Sequence, residues 1–372
     1  MILRILNIAL LLIVLSFFYQ KANTGNFYNW DAVAYTMAVQ LDEGKSADEA
    51  HSYTYKTLKD EVEPGLFQTL CCTGKYRQDQ FDNAENLKSM MPMYALKPGY
   101  IALIRAVKLF TGLNEYQSMK YISIFSTLIM TLLFFITFFF RKNVLQFLWL
   151  PLVFFSQFLL LARLMTPDAV TALIFLISVI LLLKNKLHLS YLLMALTLTF
   201  RPDMIVVAGL AGLLPLLDKE FRMPILYSIL FLSIYFLIST SISHNGWWSH
   251  FYTSLISTQS NLDSFNPSFN LNKYAEILLG NIVWILTDMN YITWFSSTIL
   301  MIVLCSNFII AKNKFWINLI CLILCVAIII KFLIFPKVDA RVYLSIYVSA
   351  IYVFSLNFLE ESDIFETDKI KQ

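Results

Sequence analysis

Apolar runs of about twenty residues recur along this chain, and they constrain its fold more than any other feature. As helices rising ~1.5 Å per residue, such runs match a hydrocarbon core ~30 Å thick. They lie near 2–18, 118–140, 144–162, 168–183, 188–200, 202–217, 225–242, 292–311, 315–335 and 341–358, ten in all. The pair at 188–200 and 202–217 is short, and nine spans with one re-entrant hairpin is the alternative count. With 58% hydrophobic and 14% charged residues over 372 positions, and a mean hydropathy of +0.65, the chain is more apolar than a soluble core can absorb. The expected fold is an all-α polytopic membrane protein of about ten transmembrane helices, with a large outward first loop carrying interfacial helices.

The first span has a basic flank at Arg4 and no small-x-small cleavage site in 19–23, so it reads as a retained anchor. Basic residues then orient the bundle. Arg141 and Lys142, Lys184 and Lys186, Lys219 and Arg222, and Lys312 and Lys314 occupy every second short connection, which the positive-inside rule places in the cytoplasm together with both termini. The expected organisation is an anchor over 1–18, an extracytoplasmic loop with amphipathic helices over 19–117 and a transmembrane bundle over 118–242. A second extracytoplasmic loop follows over 243–291, then transmembrane helices over 292–358 and a cytoplasmic tail over 359–372.

This orientation leaves Arg163, Arg201, Lys337 and Arg341 at the outer ends of spans, where topology does not require cations. Charges at membrane depth are costly and usually functional. They recur beside acids, Asp168, Asp203 and Asp339. Ion pairing or snorkelling to headgroups would explain any single one. As a set they suit a shared anionic ligand, because a guanidinium offers a planar fork that stays charged. Thr166-Pro167-Asp168 also reads as a capped helix start, and Arg201-Pro202-Asp203 repeats the Pro-Asp step without a good cap.

Asp31 stands in Asn29-Trp30-Asp31-Ala32, just beyond the first span. A helix over 30–41 places Asp31 and Tyr35 on one face, so that an acid and a phenol can converge on one ligand. A first-turn acid behind an Asn29 cap is the structural alternative. From Lys21 to Lys88 the segment holds eleven acids against seven basic residues, interleaved with aromatics that suit the membrane interface. A helix is expected over 46–62, broken by Pro64-Gly65, and Lys97-Pro98-Gly99-Tyr100 opens an amphipathic stretch to about Phe110.

In the second outer segment, His244, Trp247, Trp248 and His250 are either interfacial anchors or a sugar-stacking and hydroxyl-polarising group. Their spacing supports no metal site. Cys71 and Cys72 are adjacent and not expected to bond to each other; Cys305, Cys321 and Cys325 read as small core residues. The chain shows no phosphate-cradling glycine loop, nucleophile elbow or fixed-period repeat, and no basic aromatic patch of a nucleic-acid site.

The order of one span, an outward Trp30-Asp31 with Tyr35, an outer helix opened by Lys97-Pro98-Gly99-Tyr100, Thr166-Pro167-Asp168 heading a span, and Phe200-Arg201-Pro202 between two short spans resembles the GT-C superfamily of integral-membrane glycosyltransferases. That superfamily includes protein mannosyltransferases, lipid A aminoarabinose transferases and GPI mannosyltransferases. The resemblance covers about residues 1–220. It implies inverting transfer of a sugar from a polyprenyl-phosphate donor to a glycan, lipid or protein acceptor on the outer face. Asp31 would inherit the role of catalytic base. Tyr35, Lys97, Arg163, Asp168, Arg201, His244, Trp247, Lys337 and Arg341 are the candidate substrate-binding residues. Many members carry a second acid beside the first; Ala32 stands there in this chain, as in the Trp-Asp variant of the GPI-type enzymes. No cofactor is implied, and whether a divalent cation assists is left open. Membrane lipids are expected partners, nucleic acid is not, and the expected location is a bacterial inner membrane. A surface-polysaccharide polymerase or ligase, and a carrier-lipid flippase or other transporter, are the alternatives.

Overall fold

The computed structural model describes residues 2–25, 28–141, 143–242, 246–311 and 314–359. Lys142, His244, Lys312 and nearly all of the expected tail lie outside these described residues. Within them the chain is helical and has no strand. Six helices are long and apolar enough to cross a membrane: α1 (Ile2–Thr24), α9 (Glu115–Phe139), α15 (Arg222–Ser241), α18 (Met289–Ile310), α19 (Phe315–Ile334) and α20 (Arg341–Ser355), the last with the turn that follows it. This is an α-helical integral membrane protein. Along α1, α15 and α18 only 22% of the apolar window is buried inside the protein, so their flanks need lipid to cover them.

The remaining apolar runs are shorter or broken. The run expected over 144–162 is a 3-10 turn followed by α10 (Trp149–Phe155) and α11 (Phe158–Arg163), with Gln157 between them in the left-handed region at φ 58°. The runs at 168–183 and 188–200 form α12 (Asp168–Leu183) and α13 (Leu187–Phe200). The run at 202–217 is split into a 3-10 turn, α14 (Ile205–Gly212) and a second 3-10 turn around Pro215. Proline interrupts the ladder at both ends of that piece. Helix α12 packs against α9, α13 and α20 at the centre of the bundle.

Between α1 and α9 the chain folds into α2 (Trp30–Asp42), α3 (Ala47–Glu61), α4 (Pro64–Cys72), α5 (Gly74–Asp82), α6 (Ala84–Ser89), α7 (Met91–Ala95) and α8 (Pro98–Thr111). These build a second core around Val33, Tyr35, Met37, Leu58 and Tyr100 that rests on Met165 and Phe200 at one end of the bundle. Ser46 and Glu49 close a capping box at α3, and Asn29 caps α2 by accepting from the Ala32 N–H at 3.1 Å. Cys71 and Cys72 are joined by a disulfide, contrary to expectation. Their Cα atoms are 3.8 Å apart, closer than in ordinary disulfides, yet adjacency does not prevent the bond where α4 ends and the backbone turns extended at Thr73. The second long connection is not one loop either: it contains α16 (Gly246–Leu255) and α17 (Leu271–Thr287), whose Tyr274 and Asn281 donate to the carbonyls of Leu333, in the last turn of α19, and of Pro336, just after it.

Candidate functional site: a charged cluster at one end of the bundle

Helices α12 and α20 begin at the end of the bundle where α13 and α19 finish, and the second core caps that end. Glycine makes one junction there close. A Cβ on Gly99 would collide with Thr199 and approach Phe200 to 3.1 Å, so only glycine lets the start of α8 abut the residues just before Arg201. Lys97, from the turn before α8, is thereby brought toward Arg201, from the end of α13.

The first centre is built on Asp31. Its carboxylate accepts from the Arg341 guanidinium at 2.7 Å, from the Tyr94 hydroxyl at 3.1 Å and from the Asn29 amide at 3.5 Å. Arg341 also donates through Nε to Asp339 at 2.6 Å. Burial alone would raise the Asp31 pKa; the Arg341 guanidinium, with Lys97 and Lys337 further off, more than reverses this and holds it at about 2. The Lys97 ammonium donates to the Met93 carbonyl at 3.4 Å and lies 5.2 Å from the ring centroids of both Tyr35 and Tyr94. Burial pushes its pKa down to about 8, although Asp31 pulls the other way. Among the described residues, neither Lys97 nor Lys337 forms an ion pair with a carboxylate.

The second centre is built on Arg201. Its guanidinium forks onto Asp203, with Nε at 3.1 Å and Nη2 at 2.9 Å, and its Nη1 pairs with Asp168. Lys331 pairs with Asp203 at 2.8 Å and donates to the Val342 carbonyl at 2.6 Å, which ties this centre to the first turn of α20. The Thr166 hydroxyl donates to the Asp168 carboxylate and does not cap α12, a correction to the expected helix start. The side chain competes for the nearest charge instead of a backbone N–H.

Aromatic rings wall the first centre. Tyr35 meets Tyr94 and Tyr100 edge-on at 5.2 and 5.0 Å, and Trp30 lies 5.1 Å from Tyr76 and 6.0 Å from Tyr94. Thus Asp31, Tyr35, Lys97, Asp168, Arg201, Lys337 and Arg341, selected from sequence, all meet at one end of the bundle. Arg163 bonds the Gly25 carbonyl at the end of α1. Trp247 is 41% exposed and stacks among Trp248, Phe251, Phe269 and Tyr274; this aromatic group reaches the charged region through Phe251, which meets Phe335 at the end of α19.

Sequence reasoning missed Tyr94 and Lys331. Lys331 carried a usable signal, a lone cation in the apolar run 326–335; Tyr94, one aromatic among many, carried none. Among the described residues no group of three or more His, Cys, Asp or Glu is arranged to hold a metal; Asp31 and Asp168 take arginines instead. Fold and site together define a polytopic helical membrane protein with a charged, aromatic-walled centre beyond the ends of its apolar helices. Compared with protein-family models, curated proteins and solved structures, the chain matches none.

Proposed function

We propose that this protein is an integral-membrane glycosyltransferase that moves a sugar from a polyprenyl-phosphate donor to an acceptor hydroxyl, with Asp31 as general base. The observation that carries the proposal is the meeting of one carboxylate, Asp31, with three cations, Lys97, Lys337 and Arg341, beside an aromatic wall at the mouth of a lipid-exposed bundle. An amphiphilic phosphodiester has its charge and its chain at those two depths.

In the transfer, the acceptor oxygen bonds to the anomeric carbon and its proton passes to the Asp31 carboxylate. The bond from that carbon to the phosphate oxygen breaks, and the electron pair leaves on the polyprenyl phosphate. A single displacement inverts the anomeric centre. The base contributes about 100- to 10,000-fold, and Lys97, Lys337 and Arg341 stabilise the departing charge. Trp30, Tyr76 and Tyr94 offer the faces on which a pyranose ring stacks.

Five cations, Lys97, Arg201, Lys331, Lys337 and Arg341, stand against four acids, Asp31, Asp168, Asp203 and Asp339. An excess of one favours a monophosphate diester over the pyrophosphate-linked donor of a polymerase or ligase. The charges also lie at helix ends and not in mid-bundle, which disfavours a transporter. Arg141, Lys184, Lys186, Lys219, Arg222 and Lys314 stand at the other end of the helices. We read that end as cytoplasmic, with ten crossings when the broken helices are included, both termini inside and the site facing out from a bacterial inner membrane.

The test is the surface-glycan mass profile of a deletion strain complemented with wild type or Asp31→Asn at matched membrane abundance. A fixed sugar mass that vanishes on deletion and returns only with wild type is the expected result. Full restoration by Asp31→Asn would sink the assignment of the base, and a shift in chain length at constant composition would favour a polymerase.

A further inference from the structure

Asp31 is engaged at both of its carboxylate oxygens. Tyr94 occupies Oδ1, while Arg341 and Asn29 share Oδ2. With three of its roughly four lone-pair sites taken and a guanidinium against it, the carboxylate offers little to an incoming hydroxyl and gains little by taking its proton. The base of the proposed reaction is therefore latched in the resting structure, and Arg341 is the strongest latch.

Arg341 has the geometry to let go. Its side chain is 24% exposed and spends Nε on Asp339 and Nη1 on Asp31, while Nη2 makes no hydrogen bond among the described residues. Asp339, two residues before it, holds Nε and keeps the charge partly balanced while Nη1 changes partner. The backbone around it is pinned. Tyr343 donates to the carbonyls of Phe335 and Lys337 at 3.2 and 3.0 Å, Asn281 donates to Pro336 at 2.5 Å, and Lys331 holds Val342 at 2.6 Å. A change of partner therefore needs only a swing of the Arg341 side chain. Lys337, on the same segment, and Lys97 have no carboxylate partners among the described residues and supply the attraction that brings an anion there.

We infer that Arg341 is a substrate-operated latch: the phosphate of an amphiphilic donor binds between Lys97 and Lys337, takes Arg341 away from Asp31, and so frees Asp31 to act as base only when the donor is in place. The inference rests on the proposed transferase reading and gives Arg341 a positioning role within it.

If the phosphate and Asp31 compete for one guanidinium, removing Asp31 strengthens phosphate binding, and does so through Arg341. The experiment is a double-mutant cycle on the full chain in nanodiscs of zwitterionic lipid, with farnesyl phosphate as probe and farnesol as the uncharged control. Asp31→Asn is expected to bind farnesyl phosphate at least about tenfold more tightly than wild type, and to change affinity less than about threefold in an Arg341→Gln background. Removing a negative charge tightens anion binding in both backgrounds, so the difference between them is the diagnostic quantity. Arg341→Lys serves as the second background should Arg341→Gln fail to fold, since an ammonium without the fork weakens the exchange. Equal effects of Asp31→Asn in both backgrounds, or weaker binding by Asp31→Asn, would overturn the latch while leaving the transferase reading intact. No preference of wild type for farnesyl phosphate over farnesol would overturn that reading and the latch with it.

Discussion

The Asp31 centre and the Arg201 centre lie side by side and contain the same chemistry, carboxylates facing arginines, but they are built for different purposes. Asp31 and Arg341 are each about a quarter exposed and meet through a single guanidinium nitrogen across 310 residues of chain. Asp168 and Lys331 are 4% exposed and Arg201 13%, with Asp203 the one open member at 37%, and each Arg201 nitrogen is used on one of two acids. A pair that water and ligand can reach exchanges partners cheaply. A buried, cross-tied set does not, because removing one member leaves an uncompensated charge. The first arrangement suits turnover, and the second fixes where α12, α13, α19 and α20 end relative to one another.

Matched isosteric changes test that division most severely. Asp31→Asn is expected to lower transfer by about 100- to 10,000-fold with near-normal abundance and thermal stability, because Tyr94 and Asn29 retain a polar partner. Asp168→Asn is expected to do the reverse. It leaves Arg201 with one acid in a buried setting and should cost about 3 kcal/mol, read as lower membrane abundance and a lower melting temperature in detergent. Equal stability losses from the two substitutions would erase the distinction between the centres.

Much of this contrast was legible in the sequence, and the reasons for the remainder are physical. Apolar length alone marks the chain as a helical membrane protein, and cations on the wrong side of a charge-biased topology single out Arg201, Lys337 and Arg341. Composition does not say which acid each cation chooses. That depends on helix ends that meet only in three dimensions: Arg341 bypasses no acid near it, holding Asp339 locally and Asp31 from the far end of the chain. Arg163 shared the same signal but stands at the end of α11, where the Gly25 backbone is its neighbour. The break at Gln157 coincides with the polar pair Ser156-Gln157, a dip too short to divide the run when hydropathy is averaged over a span.

Lys97 offers a finer distinction, because it belongs to the exchangeable centre and titrates within reach. Its pKa lies at about 8, lowered by burial and by Arg201 and raised by Asp31, Asp203 and Asp168. A phosphate favours the charged ammonium, so affinity for farnesyl phosphate should hold from about pH 7, where the probe is mostly doubly ionised, to about pH 8 and fall above it, by up to about tenfold per pH unit. Lys97→Met should bind several-fold more weakly at pH 7 and lose that slope. A slope that persists in Lys97→Met would assign the titration elsewhere.

The smallest effect expected is at Asn29, and it probes whether the Asp31 centre can be disturbed without touching the other. Asn29 accepts from the Ala32 N–H at 3.1 Å and so caps α2, while its amide reaches Asp31 at 3.5 Å, near the limit of a useful bond. Asn29→Ser keeps a capping oxygen and removes only the amide, so stability should change by no more than a few tenths of a kcal/mol. Asn29→Ala removes both and should cost about 1 kcal/mol. Because that cap sets the first turn of α2, and Asp31 lies in that turn, Asn29→Ala should also lower transfer several-fold, whereas Asn29→Ser should stay within about twofold of wild type. Should Asn29→Ser fall as far as Asn29→Ala, the weak amide contact would matter more than its length suggests, and Asp31 would be held by three essential donors in place of two.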